Sequence, residues 1–380
     1  MALAQSGKKC PRVVVLESRS TYTHDRTWCF FKNPAAPVRP WVEQEWPAMQ
    51  ITTPARSVTI DCGLTPYQMV PAGRFYEEAR RLIDPCSQMA LRLGTRVIGE
   101  PEKRRDLWRV ETSAGPVEAR YVIDTRPGNA PRRDGAVLWQ SFYGQEIECE
   151  AQVFNPACGE LMDFSAADAA GGPAVFPDAV CFVYLLALSP TRALIEFTVF
   201  GADPLGPEAF DAVQEKAVAQ RVGNNSFSVL RCEHGVLPMG AAPFVPNDDP
   251  SYVRAGLTAG GARPSTGYAF ARIQRWAAAC AAALADGKAP TGHAPDGWAL
   301  RTMDRLFLNV LRAQPALAPG FFMALFERVS SQRLIRFLSD QGTLADYAAV
   351  VAALPAAPFL RSLLKPCLAS SRQAAAAVKQ

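Results

Sequence analysis

Glu196 stands in the run Ala193-Leu194-Ile195-Glu196-Phe197-Thr198-Val199-Phe200, where strand alternation puts Leu194, Glu196, Thr198 and Phe200 on one face and Ile195, Phe197 and Val199 on the other. Both faces are largely apolar. A carboxylate there is costly to ionise, so it either meets a buried cation or keeps its proton with a raised pKa. The first option makes Glu196 half of a structural ion pair. The second makes it a carboxylic acid facing an apolar space, the chemistry of proton-initiated catalysis. Asp163 is a second acid in the same β-rich section, ahead of an Ala-rich stretch, where aspartate also serves as a turn cap.

A different chemistry attaches to three other places. Glu17 ends the apolar run Arg12-Val13-Val14-Val15-Leu16-Glu17, where a carboxylate accepts hydrogen bonds from a ribose or is simply an exposed strand end. Gly260-Gly261-Ala262-Arg263-Pro264-Ser265-Thr266-Gly267 sets small residues and backbone N–H groups ahead of an Ala-rich helix, a site for a flavin's pyrophosphate or ring edge. Its plainer reading is a tight turn with Thr266 as N-cap. Asp124, at another strand end, either approaches a cofactor or hydrogen-bonds the turn that follows it.

These residues need a scaffold, and the chain is long enough to supply one. Its 380 residues suggest about two domains, and 49% hydrophobic with 20% charged residues is an ordinary globular balance. A net charge of +4, from 40 basic and 36 acidic residues, is too small and dispersed to argue for nucleic acid. The 10 cysteines are scattered singly without a C-x-x-C, which favours reduced thiols and a cytoplasmic location. Three widely separated histidines make a zinc site improbable, and no metal is expected. No apolar stretch reaches the ~18 to 20 residues of a membrane-spanning helix.

The 12–17 run reads as a buried parallel strand, preceded by Ala2-Leu3-Ala4-Gln5 as the last turns of a helix that Gly7 closes. A helix tail followed by such a strand is the second half of a dinucleotide-binding βαβ unit, so a first strand with its glycine fingerprint is expected upstream of Met1. Residues 27–67 form a loop-and-strand excursion containing a strand at 57–61, 72–83 an amphipathic helix, and 107–111 and 117–124 paired strands. Strands follow at 140–148, 179–188 and 192–200, a helix at 207–221, and further strands around 226 and 236. Another strand at 252–257 leads through the glycine turn into a helix at 268–284, and the rest is helical. The Phe321-Phe322-Met323-Ala324-Leu325-Phe326 run is either packed core or a bilayer-facing entrance.

Several segments, in order, resemble the bacterial lycopene β-cyclase family. Thr27-Trp28-Cys29-Phe30 is similar to its H-T-W-S-F signature, with Arg26 in place of histidine. Gln140-Ser141-Phe142-Tyr143-Gly144 resembles its Q-x-F-x-G strand, and Leu161-Met162-Asp163-Phe164 its M-D-F segment. Phe182-Val183-Tyr184-Leu185-Leu186-Ala187-Leu188-Ser189 is similar to F-x-Y-x-L-P-L-S, with Ala187 for proline, and Leu194-Ile195-Glu196-Phe197-Thr198 follows with Phe197 for a second acid. Glu233-x-Gly235-Val236-Leu237-Pro238 and Arg263-Pro264-Ser265-Thr266-Gly267-Tyr268 complete the set. Pro127 replaces a family glycine.

The resemblance implies a mixed α/β fold: a Rossmann-like flavin-binding part at 1–135, an inserted antiparallel sheet domain for substrate at 136–245, a return to the flavin-binding domain at 246–290, and a helical region at 291–380. It implies a redox-neutral isomerase that closes β-ionone rings on lycopene and other linear carotenoids, with reduced FAD as cofactor and NADPH as its reductant. Glu196 then matches a glutamate implicated in catalysis and Asp163 lies near the substrate channel. Glu17, Asp124, Gly260, Gly261, Pro264, Thr266 and Gly267 contact the cofactor. A hydrocarbon substrate further implies peripheral contact with a membrane. Two other classes remain open at this point: another FAD-dependent reductase or hydroxylase acting on isoprenoids, and a carotenoid-binding protein without enzyme activity.

Overall fold

The computed structural model describes residues 1–5, 10–33, 40–126, 137–240 and 249–364. Gly7, Pro127 and the Ala-rich end at 374–377 lie outside them. Long β-branched and aromatic runs build the centre of the molecule, a seven-stranded sheet in the order Phe227–Met239, Leu138–Cys149, Arg192–Gly201, Val180–Ala187, Cys158–Asp163, Ala48–Thr52 and Ser57–Asp61. Arg192–Gly201 therefore has a paired neighbour on each side.

This sheet differs from the expected antiparallel insert in two respects. Its last two strands come from the excursion rather than from the 136–245 segment, and Cys158–Asp163 pairs with Ala48–Thr52 in parallel. The strands expected separately around 226 and 236 are one, Phe227–Met239, long enough to flank the whole of Leu138–Cys149.

Two hydrophobic cores lie on the opposite faces of the sheet. Under one, Leu194, Phe200 and Phe182 pack with Trp46, Tyr67 and the helices Trp298–Ala313, Ala318–Arg328 and Ser331–Leu338. Phe321 and Phe326 are 2% and 6% exposed, so their run is packed core and not a bilayer entrance. Under the other, Ile195, Phe197 and Val199 pack with Phe210, Val213 and Ala217 of the segment leading into and along the helix Asp211–Val222.

The nucleotide-type layer is built from parallel pairs. Val13–Leu16 runs parallel to Met89–Arg92, and Val122–Asp124 to Tyr252–Arg254. The 117–124 stretch is thus not one strand: Val117–Ala119 pairs antiparallel with Leu107–Val110, and the chain then turns to join Tyr252–Arg254. The first strand is also less buried than its composition suggests, with Val14 41% and Val15 39% exposed, because a two-stranded pair leaves its faces partly in water. The amphipathic helix Ala72–Ile83 has the expected bounds. The helix after the glycine turn, Phe270–Ala285, starts two residues later than expected, with Ala269 as an N-cap that makes no side-chain bond. Thr266 instead accepts a hydrogen bond from the Tyr268 N–H at 3.2 Å, inside the turn.

Candidate active site

The register of the central sheet sets four residues in one row. Tyr184 lies opposite Glu196, Glu196 opposite Gly144, and Gly144 opposite Glu233. Residues directly opposite one another share a face, so Tyr184, Glu196 and Glu233 all project into the same core. Glu196 is 8% exposed and its Oε1 accepts a hydrogen bond from Thr198 Oγ1 at 2.9 Å. Among the described residues no ion pair engages it. Burial, reinforced by the negative charge of Glu233, pushes its carboxyl up to about 8.

The cations in this region are committed elsewhere. Arg231 is bonded to Glu233 and, through Nε at 2.6 Å, to Glu146, which is also held by Arg192 Nε at 2.6 Å. Thr27 Oγ1 donates to Glu233 Oε2 at 2.8 Å. Glu233 and Glu146 thus have their partners within the network, and Glu196 is left as the protonated acid of the group. Glu233 entered the sequence reading only as part of a motif. The signal that points to it is Gly144: a glycine inside an apolar strand marks a close approach, and a methyl group there would come within 3.3 Å of Glu196 Cβ and 3.4 Å of Glu233 Cγ.

Aromatic side chains wall the acid. Tyr184 Oη lies 3.4 Å from Tyr67 Oη, which lies 3.5 Å from Tyr268 Oη. Burial pushes Tyr67 and Tyr184 well above the usual phenol range and Tyr268 to about 12, so all three stay neutral. Tyr268 and Cys29 also line a cavity of about 720 Å³ together with Phe30, Trp41 and Phe270, at the start of the helix Phe270–Ala285. Phe270 stacks on Trp28 and Phe30 at centroid distances of 5.4 and 5.0 Å. Tyr184, opposite Glu196 in the sheet, is thus linked through Tyr67 to Tyr268 at the edge of this cavity.

Asp163 is placed differently. It lies opposite Val183, which lies opposite Phe197, so it faces the other core. Its carboxylate accepts from the Ala166 N–H at 2.8 Å, capping the helix Phe164–Ala169, and pairs with Arg221, which also holds Glu160 at 2.6 Å. The structure gives Asp163 the turn-capping role and does not bring it to Glu196.

The candidate cofactor residues divide into two groups. Asp124 and the turn come together: Ala255 N–H donates to the Asp124 carbonyl at 2.9 Å, and Gly261 N–H to the Gly256 carbonyl at 2.9 Å. The Asp124 carboxylate is itself occupied by Arg126 and by Tyr252 Oη at 2.7 Å; burial opposes its charge, but these bonds hold it below the usual carboxylate range. Several turn amides close the turn on itself, including Gly267 N–H to the Arg263 carbonyl. Glu17 belongs to the separate Val13–Leu16 pair, where it accepts from the Arg19 backbone at 3.0 Å and its guanidinium at 2.9 Å.

A flavin fits what surrounds the turn. Gly267 has φ +69°, and a Cβ there would meet Gln140 Oε1 at 2.8 Å; at Gly261 a Cβ would meet the Gly256 carbonyl oxygen at 2.5 Å. Gln140 Oε1 is buried and has no hydrogen-bond partner among the described residues, an acceptor suited to a ring N–H. His293, pushed down to about 4 by burial and by Arg272, is neutral and accepts from Gly256 N–H at 3.1 Å, which fixes the turn.

The fold is that of flavoprotein reductases, monooxygenases and halogenases. A geranylgeranyl bacteriochlorophyll reductase-like protein from Thermoplasma acidophilum is similar over 96% of this chain and 94% of its own, with a TM-score of 0.58 at 12% identity. The p-nitrophenol 4-monooxygenase PnpA from Pseudomonas putida covers 94% and 93%, with a TM-score of 0.54 at 14% identity. A variant of the halogenase PltM solved in complex with FAD covers 92% and 82%, with a TM-score of 0.51 at 13% identity. Residues 1–364 match the lycopene cyclase protein family, and the chain belongs to that family. It is 28% identical over 368 residues to the lycopene beta-cyclase of Pantoea ananas, covering 93% of this chain and 90% of that protein. It is 30% identical over 259 residues to the lycopene beta-cyclase of a Paracoccus species, covering 64% and 63%.

Proposed function

We propose that this chain is a lycopene β-cyclase, an isomerase that converts lycopene through γ-carotene to β-carotene by adding and removing a proton without net oxidation. The observation that carries the reading is Glu196: a buried carboxyl with no cation partner among the described residues, proton retained to about pH 8, in a tyrosine-walled core. Its proton goes to the terminal double bond of the polyene, the neighbouring alkene attacks the resulting tertiary cation, and loss of a ring proton leaves the β-ring. The neutral phenols of Tyr184, Tyr67 and Tyr268 and the rings of Trp28, Phe30 and Phe270 keep water from the cation.

FAD in its reduced form, regenerated by NADPH, is the cofactor we assign, held by the Gly260, Gly261, Pro264, Thr266 and Gly267 turn with Gln140 beside it, Asp124 bracing the turn and Glu17 toward a ribose. When bound, its anionic ring supplies a fixed negative charge opposite a developing cation. In a lycopene-accumulating host, expression of the chain should yield β-carotene by product chromatography, with no NAD(P)H consumed in step with product. Stoichiometric NAD(P)H oxidation would instead indicate a reductase or hydroxylase.

We further propose that the protein works on the cytoplasmic surface of a membrane. No single described helix is long and apolar enough to cross one. Along Leu344–Ala353 and the following 356–364 helix, however, Leu344, Val351, Leu360 and Leu364 are 82, 56, 56 and 58% exposed. The acid in that stretch, Asp346, is turned inward to Arg336. An outward face without acids suits a peripheral bilayer contact, and the free thiols of the described cysteines suit a reducing compartment. Val351→Asp with Leu360→Asp should move the protein from salt-washed membranes to the soluble fraction; unchanged sedimentation would remove this face from the reading.

A further inference from the structure

Glu196 and Glu233 sit on the same face on either side of Gly144, two strand spacings apart, or roughly 10 Å between backbones. Because position 144 has no side chain, the two acids and a Leu194 methyl close over it: a Cβ there would lie 3.3 Å from Glu196 Cβ, 3.3 Å from Leu194 Cδ1 and 3.4 Å from Glu233 Cγ. Their surroundings are unequal. Glu233 accepts from Thr27 and pairs with Arg231, and Arg231 is anchored in turn by Glu146. Glu196 has the hydroxyl of Thr198.

We propose that Glu233 is a positioning residue for the cyclisation: its ionised carboxylate, fixed across Gly144 by Arg231 and Thr27, keeps the reactive proton on Glu196 and draws it back after each ring closes. The inference rests on the cyclase reading. The proton leaves Glu196 for the terminal alkene carbon, whose π electrons form the new C–H bond. The neighbouring alkene's electrons form the C–C bond that closes the ring. A ring C–H bond then breaks, its electrons become the ring double bond, and the proton returns to Glu196. Between these events two carboxylates face each other in a dry site, a repulsion that makes Glu196 a strong base at the moment a base is needed. No outside acid or oxidant is consumed.

The other groups around Glu196 do not substitute for Glu233. Tyr184 on the adjacent strand Val180–Ala187, and Tyr67 and Cys29 on the paired strands Tyr67–Pro71 and Thr27–Phe31 of a separate sheet, are all driven by burial toward their neutral forms. Arg231 pulls in the opposite direction, favouring an ionised Glu196, and its charge is already shared between Glu233 and Glu146. Thr198 also favours the ionised form.

The test is an infrared titration of the protonated carboxyl in the purified full chain without lycopene, with the band assigned by its loss in Glu196→Gln. Its midpoint, near 8 in the unsubstituted protein, should fall by on the order of one unit in Glu233→Gln, a tenfold change in acidity. The pH above which ring formation is lost should fall with it. Glu233→Asp, which withdraws the charge by one methylene, should give a smaller downward shift, and it reads alone if the glutamine variant does not fold. An unmoved midpoint in either folded variant overturns the pairing. A midpoint that moves in a chain making no β-carotene from lycopene sinks the cyclase reading and leaves the pairing in place.

Discussion

The two faces of the central sheet bury acids in opposite ways. On the face against the helix Asp211–Val222, the acid has a cation: Asp163 caps a helix and meets Arg221, and nearby Gln214 accepts from the Phe197 N–H at 3.0 Å while donating to the Ile195 carbonyl at 2.9 Å. On the opposite face, Arg231 and Arg192 satisfy Glu146 and Glu233 and leave Glu196 with one hydroxyl. Both acids are buried, Glu196 at 8% and Asp163 at 6% exposed. What separates a structural acid from a reactive one is therefore the distribution of cations, since a carboxyl without one keeps its proton and a carboxylate with one does not.

The sharpest way to break this contrast is Glu196→Gln. It should lower ring formation per folded molecule by at least ~10²-fold, the scale of a lost general acid. Its effect on stability should run the other way. With the folded-state pKa raised from 4.5 to about 8, the stability associated with the buried acid is fully present below about 4.5 and is lost as pH rises to about 8. In that window the slope is roughly 1.4 kcal/mol per pH unit. Replacing Glu196 by an amide should flatten it, as chemical denaturation from pH 5 to 8 would record. Had Glu196 been half of an ion pair, the same substitution would destabilise the protein at neutral pH by ~3 to 5 kcal/mol.

On the other face the expectation reverses. Asp163→Ala removes a helix cap and one partner of Arg221, which keeps Glu160. The loss should be about 2 to 3 kcal/mol, from ~1 for the cap and the rest for the ion pair. β-Carotene output per folded molecule should be unchanged. Output that falls along with Glu196→Gln would place the two acids in one mechanism and erase the distinction between the faces.

The difference between these acids was only half visible in the sequence. Alternation placed Leu194, Glu196 and Thr198 on one face, and the helix Ala72–Ile83 and strand Ser57–Asp61 were plain from periodicity. Which face Asp163 takes depends on a register irregularity between Glu160 and Asp163, and local periodicity does not report such shifts. Glu233 needs the pairing of Phe227–Met239 with Leu138–Cys149, a contact between distant segments. Thr266 looked like an N-cap because the turn residues suit one, whereas the turn's own hydrogen bonds delay the helix to Phe270. The lycopene cyclase resemblance rested on short ordered motifs, and these survive such errors because they do not depend on knowing which strands pair.

The smallest expected effect tests the balance inside the reactive face. Thr198 is fully buried and its hydroxyl is the hydrogen bond that favours the ionised form of Glu196. Thr198→Val keeps the branched shape and removes that donor. A net hydrogen bond of about 0.5 to 1.5 kcal/mol corresponds to at most about one pH unit, so the pH at which ring formation falls off should move upward from about 8 by less than one unit. Glu233→Gln should move it in the opposite direction, which gives the pair a sign as well as a size. The fold should change little, because Thr198 gives up one bond to a group that is protonated at neutral pH. An upward shift with Thr198→Val and a downward one with Glu233→Gln would show that Glu196 is set between the two. A downward shift in both would mean that the hydroxyl donates elsewhere and that the acid's environment is fixed by burial and Glu233 alone.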